Sequence, residues 1–138
     1  MSKDVGYLLK QITDKIKISA DAALKSRNLT YAQIKVLEYV SGSGGTVTQK
    51  SIEEYLGVSH PTVVGIVSRM EKNGHLVCFF SKEDKRNKIV SLTEQASHMS
   101  HELQGEISSM ERKLLKGLSK AEIESLQRML SIILKNIE

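Results

Sequence analysis

Between Thr48 and Asn73 the chain passes from one helix to another with almost nothing between them, and this limits the fold more than any other feature. "TQKSIEEYLG" reads as a short helix, with Thr48 placed to cap its first turn and Gly57 to supply the left-handed residue that ends it. After Val58 another helix opens. Ser59 or His60 precedes it, and Pro61 fits its first turn, where a missing N–H costs nothing. It runs to about Asn73 and stops at Gly74. Two short helices joined this tightly form a helix-turn-helix. Such corners occur in many folds, so the next segment decides. "HLVCFF" and "KIVSL" are β-branched or aromatic runs around a polar tip, which is the pattern of a hairpin. A helix-turn-helix followed by a hairpin is a winged helix.

Helices flank this unit on both sides. In residues 4 to about 26, Val5, Leu8, Leu9, Ile12, Ile16, Ala20, Ala23 and Leu24 recur at three- and four-residue steps. A second helix opens at "LTYAQIKVLEYV", where Thr30 and Gln33 have the spacing of a capping box and Ile34, Leu37 and Val40 make one stripe. "SGSGG" at 41 to 45 is expected to be a loop. After the hairpin a long helix starts at Thr93, striped by Ala96, Met99, Leu103, Ile107, Met110 and Leu114. At roughly 24 residues it would be about 36 Å long, more than a small lobe covers. The last helix begins with the capping box Ser119 to Glu122, and Ile123, Leu126, Leu130, Ile133 and Ile137 repeat close to a coiled-coil seam.

Composition removes whole function classes. A chain of 138 residues makes one domain, or one with arms. Aromatics are 4% with no Trp, so the core must be aliphatic, and a single Pro favours helix. The formal net charge of +4 mildly favours an anionic partner. No stretch approaches the ~18 apolar residues of a membrane span. The N-terminus carries charges throughout and lacks a signal-peptide core. The single Cys78 excludes an intramolecular disulfide and suits a reducing compartment. The expectation is a cytoplasmic protein with no membrane contact. Phosphate loops, nucleophile elbows and supported carboxylate pairs are absent, so neither an enzyme nor a cofactor is expected, and Glu53 with Glu54 reads as a solvated helix face.

Order and local residues together resemble the MarR (multiple-antibiotic-resistance regulator) family. "LTYAQIKVL" resembles the family's Leu-Thr-x-x-Gln-x-x-Val-Leu segment. "LGVSHPTVVGIVSRMEKNG" resembles its recognition helix with a Glu-x-x-Gly turn, and "DKRNKIVSLTEQ" its wing. The resemblance covers nearly the whole chain. It implies a mainly α fold with a small β-wing, in which a winged helix-turn-helix is flanked by long N- and C-terminal dimerisation helices. Residues 1–138 would form one MarR-like domain, with 29–97 as the DNA-binding lobe and 4–26 with 100–138 as the dimerisation lobe. The implied function is a homodimer that binds inverted-repeat double-stranded DNA, usually to repress transcription, and that a small-molecule effector can release.

Helical geometry divides the recognition helix. Val63, Ile66, Val67 and Met70 share an inward face. Pro61, Thr62, Gly65, Ser68, Arg69 and Lys72, with Val64 at the edge, form the opposite face, which can enter a major groove. Arg69 is suited to guanine or phosphate, while Ser59 and His60 at the helix start are suited to a phosphate. Gly65 and Val64 cannot donate a side-chain hydrogen bond, so close approach, methyl contact and DNA shape would share the readout. In the hairpin, Lys82, Asp84, Lys85, Arg86 and Lys88 form the expected wing site, with Arg86 probing the minor groove and Asp84 holding it. From Ser59 to Val90 basic residues exceed acidic ones by three.

Other features have blander readings. Cys78 reads as an inert, partly buried thiol. His98 and His101, at i and i+3, could begin a metal site only with further ligands, and two surface histidines is the plainer reading. Tyr7, Tyr39 and Met99 are candidates for an effector pocket. The competing class is a winged-helix module that binds protein, which an apolar patch centred on Phe79 and Phe80 would favour over a basic DNA-facing surface.

Overall fold

The structure is a computed structural model that describes residues 4–138. Two compact units divide the chain, the first running to Leu103 and the second from Gln104 to Glu138.

The first unit opens with α1 (Val5–Leu24), whose first turn is capped by the Asp4 carboxylate accepting from the Tyr7 N–H. Only the C-terminal part of its stripe is covered: Ala20 and Leu24 are buried, while Val5, Leu8 and Ile12 are exposed. A single 3-10 turn, Lys25–Arg27, leads to α2 (Tyr31–Gly42). Both bonds of the expected Thr30–Gln33 capping box are present, and Ile34, Leu37 and Val40 are buried together with Val36. The Gly/Ser loop is shorter than its composition implies. Ser41 and Gly42 continue α2, and only Ser43 to Gly45 turn. The Gly45 N–H returns to the Val40 carbonyl at 2.8 Å, closing the helix end locally.

Helix α3 (Gln49–Leu56) and helix α4 (His60–Lys72) form the helix-turn-helix. Thr48 and Ser59 are their N-caps, each accepting from the amide three residues on; such a cap is worth about 1 kcal/mol. Gly57 sits at φ 65°, a conformation that costs a side-chain-bearing residue energy, and this is what allows α3 to end and α4 to start within three residues. The hairpin consists of β2 (Leu76–Phe80) and β3 (Lys88–Leu92), antiparallel and paired from Leu76 opposite Leu92 to Phe80 opposite Lys88.

A third strand was not expected. Thr46–Thr48, numbered β1, pairs antiparallel with β3, so the sheet order is β1-β3-β2 and β3 is central. The pairing makes sense of Val90. It lies opposite Val47 on one side and Cys78 on the other and is fully buried, so the sheet is anchored through its middle strand. Val63, Val67, Met70, Ile52 and Leu76 complete the core.

Thr93 joins the base of the wing to the next helix. Its hydroxyl donates to the Gly74 carbonyl at 2.7 Å and accepts from the Ala96 N–H at 3.1 Å, capping α5 (Glu94–Leu114), which is 21 residues long. Ala96, Ser100 and Leu103 are its buried positions. In the second unit, α6 (Lys120–Asn136) starts with both bonds of the Ser119–Glu122 capping box but has no buried residue. Leu118, Met129, Leu130, Ile132, Leu134 and Ile137 are exposed, and a shallow apolar hollow is lined by Leu118, Ala121, Leu126 and Met129.

Candidate nucleic-acid interface

The two faces of α4 separate as helical geometry requires. Val63, Val67 and Met70 are fully buried and Ile66 is half-buried. Pro61, Thr62, Val64, Gly65, Ser68, Arg69 and Lys72 are all exposed. At the helix start, the hydroxyls of Ser59 and Thr62 lie 2.8 Å apart while Ser59 caps the helix, so both are already oriented by local bonds.

His60 has a partner that sequence reasoning missed. Its Nδ1 lies 2.9 Å from Oε2 of Glu53 on α3. Glu53 is therefore not part of a solvated face with Glu54: its side chain is only 21% exposed and it ties α3 to the first turn of α4. The signal was unreadable because the two residues, seven apart, meet only through the turn at Gly57. A second carboxylate performs a similar task at the other end of α4. Glu71 accepts from the Cys78 backbone N–H at 3.2 Å. That N–H faces away from β3, on the open side of edge strand β2, so the bond fastens the recognition helix to the wing and covers a donor that the sheet leaves unpaired. Both carboxylates that flank the exposed face of α4 are thus tied down within the fold.

The wing tip is ordered by the same device. Asp84 Oδ1 accepts from the Arg86 backbone N–H at 3.0 Å and from Arg86 Nε at 3.2 Å. Ser81 Oγ accepts from the amides of Glu83 and Asp84, and the Asn87 N–H donates to the Asp84 carbonyl. Arg86 remains 92% exposed at its side chain, so it is oriented without being covered. Lys82 and Lys85 are exposed beside it, and Lys88 is half-buried opposite Phe80.

Cys78 is half-buried, and its thiol is pushed up to about 11, first by burial and then by the Glu71 carboxylate, against the opposing pull of Lys88. Phe79 and Phe80 do not pack beneath the wing. They are 51% and 61% exposed, and Val77 is exposed near them. The effector candidates come from three different helices, with Tyr39 on α2. Its ring stacks on Tyr55 of α3, centroids 4.5 Å apart, while Tyr7 is exposed on α1 and Met99 is half-buried on α5. His98 Nε2 lies 4.0 Å from Glu94, and among the described residues no group of three His, Cys, Asp or Glu side chains is placed to hold a metal.

Comparison with known proteins agrees with this arrangement. The MarR family model matches residues 27–87. Over 112 residues the chain is 36% identical to the uncharacterized HTH-type transcriptional regulator YwoH of Bacillus subtilis (strain 168), covering 79% of this chain and 80% of that protein. Among solved structures, the S. aureus MepR–DNA complex superposes with a TM-score of 0.89 at 25% identity, over 98% of this chain and 99% of that one. A MarR family regulator from Listeria monocytogenes, complexed with 26mer DNA, superposes with a TM-score of 0.90 at 24% identity, over 99% of this chain and 90% of that one. The chain belongs to the MarR family. It is a winged-helix, DNA-binding transcriptional regulator and not an enzyme. No described helix is long and apolar enough to cross a membrane.

Proposed function

We propose that the chain acts in the cytoplasm as a homodimer, each copy placing α4 in the major groove and Arg86 in the adjacent minor groove of a pseudo-palindromic operator, usually to repress. The observation that carries this reading is the oriented but exposed Arg86, next to a helix whose polar face is wholly solvent-facing. Flat guanidinium groups suit the negative potential and acceptors of a narrow minor groove. Holding Arg86 in place beforehand lowers the entropy lost on binding. Ser59, His60, Thr62, Ser68, Arg69 and Lys72 would contact bases or phosphates. Pro61, Val64 and Gly65 shape the helix face, while Lys82, Lys85 and Lys88 meet phosphates around the tip.

The layout has residues 29–97 reading DNA and residues 4–26 with 100–138 binding a second copy. The exposed rows on α1 and on α6 support this, because apolar surface of that extent is normally covered in a stable protein. Two-fold symmetry then calls for half-sites about one helical turn, roughly 10 bp, apart. Small-molecule release is part of the proposal, with Tyr39 and its stacked partner Tyr55 the best-defined aromatic surface for such an effector.

The exposed Val77, Phe79 and Phe80 favour a second reading, a winged-helix module that docks protein. Selection of bound duplexes from a random DNA pool separates the two. A palindromic consensus is expected; recovery of no enriched sequence would favour the protein-docking module.

A further inference from the structure

Gly65 lies in the middle of α4, where glycine is a poor choice for a helix: relative to alanine it costs folding free energy through backbone entropy. Nothing within the chain asks for it. Its φ is not positive, and a Cβ built on it would meet no atom within 4 Å. Neither backbone conformation nor packing therefore explains the residue. Its surroundings do. Positions three and four away on a helix are its surface neighbours, and those are Pro61, Thr62, Ser68 and Arg69, all exposed. Gly65 is thus a notch at the centre of the outward face, with the exposed Val64 beside it.

We propose that Gly65 is a specificity-determining residue whose missing side chain lets the backbone of α4 come into van der Waals contact with a base-pair edge, with a thymine methyl seated in the notch. This rests on the DNA-binding reading above. A methyl projecting into the major groove is the base feature that an apolar concavity selects, since it needs no hydrogen-bond partner. Pro61 gives the notch an apolar wall, and Thr62, Ser68 and Arg69 supply polar contacts around it.

The proposal predicts changes of opposite sign, which a purely structural role would not produce. Gly65→Ala should raise the thermal midpoint of the free protein by about 2–5 °C, because the helix gains and nothing clashes. The same variant should bind the duplex selected from the random pool about tenfold more weakly, and Gly65→Leu more weakly still. Replacing thymine by deoxyuridine, one site at a time, should weaken binding by the parent several-fold at one symmetric pair of positions and leave Gly65→Ala unaffected there. Gly65→Ala binding as tightly as the parent, or a parent indifferent to every methyl deletion, would overturn the proposal. Failure of the parent itself to select any duplex would instead overturn the DNA-binding reading on which it rests.

Discussion

The two compact units bury apolar surface in different ways. In the first, Ile34, Val36, Leu37, Val40, Ile52, Val63, Val67, Met70 and Val90 are all at most 1% exposed, contributed by three helices and the central strand. In the second, α6 has no buried residue although its apolar positions repeat as regularly as those of any other helix. Periodicity announces that a face will be covered, but not by what. The α4 stripe is covered by its own chain; the α6 stripe is not, and a second copy is its proposed cover. The contrast gives the two units different sensitivities.

The largest effect should come from the closed core. Leu37→Ala removes a side chain that is 1% exposed and should cost about 2–5 kcal/mol of stability in urea unfolding. A loss below about 1 kcal/mol would mean that the first unit is not the self-sufficient core described. Next comes Leu134→Glu on α6, where the leucine is 59% exposed. A charge there should cost little in a monomer but about 2–4 kcal/mol in self-association, seen as a monomeric mass by sedimentation at micromolar concentration. A parent that is already monomeric would remove the contrast altogether.

Effects on DNA binding follow. Arg86→Ala should weaken binding by about 1–3 kcal/mol, measured at low salt. Asp84→Ala should weaken it less, and add little once Arg86 is gone, because the carboxylate acts through the arginine it holds. Strictly additive losses would show that the tip is not a positioned probe.

His75 offers a smaller test within the first unit. It is 5% exposed, its Nδ1 lacks a hydrogen-bond partner among the described residues, and burial holds its pKa below the ordinary imidazole value. Protonation is then easier in the unfolded chain. The resulting stability is intact above about pH 6.5 and is lost as pH falls below that towards the folded value. Urea midpoints should drop between about pH 7.5 and about pH 5.5, and drop less in His75→Gln; equal drops would assign the acid sensitivity elsewhere.

The smallest expected effect is none. With the Cys78 thiol pushed up to about 11, about one in ten thousand is thiolate at neutral pH, so mild peroxide should leave DNA binding unchanged and Cys78→Ser should bind as the parent does. Reversible loss on oxidation, absent in the serine variant, would contradict this.

Much of the fold could be read along the chain because its rules act over three or four residues. The caps at Thr30, Thr48, Ser59 and Ser119, the break at Gly57 and the inward face of α4 all lie where spacing and residue type put them. The Asp84–Arg86 pair was equally legible, two residues apart on a tight turn. What spacing could not reveal were meetings between distant segments. Thr46–Thr48 is β-branched throughout but too short a run to read as a strand, and it becomes one only by pairing with β3 more than forty residues later. Glu53 of α3 meets His60 across the helix-turn-helix, Glu71 of α4 meets the Cys78 amide of β2, and Tyr39 of α2 stacks on Tyr55 of α3, each contact made only once those elements pack together. The run Leu76 to Phe80 is apolar throughout, which left both burial and an exposed patch open at the phenylalanines; in the fold only Leu76 is buried, and Phe79 and Phe80 are exposed. Local hydrogen bonding and side-chain periodicity are properties of the chain itself, whereas burial and partnership depend on which surfaces the folded backbone brings within reach.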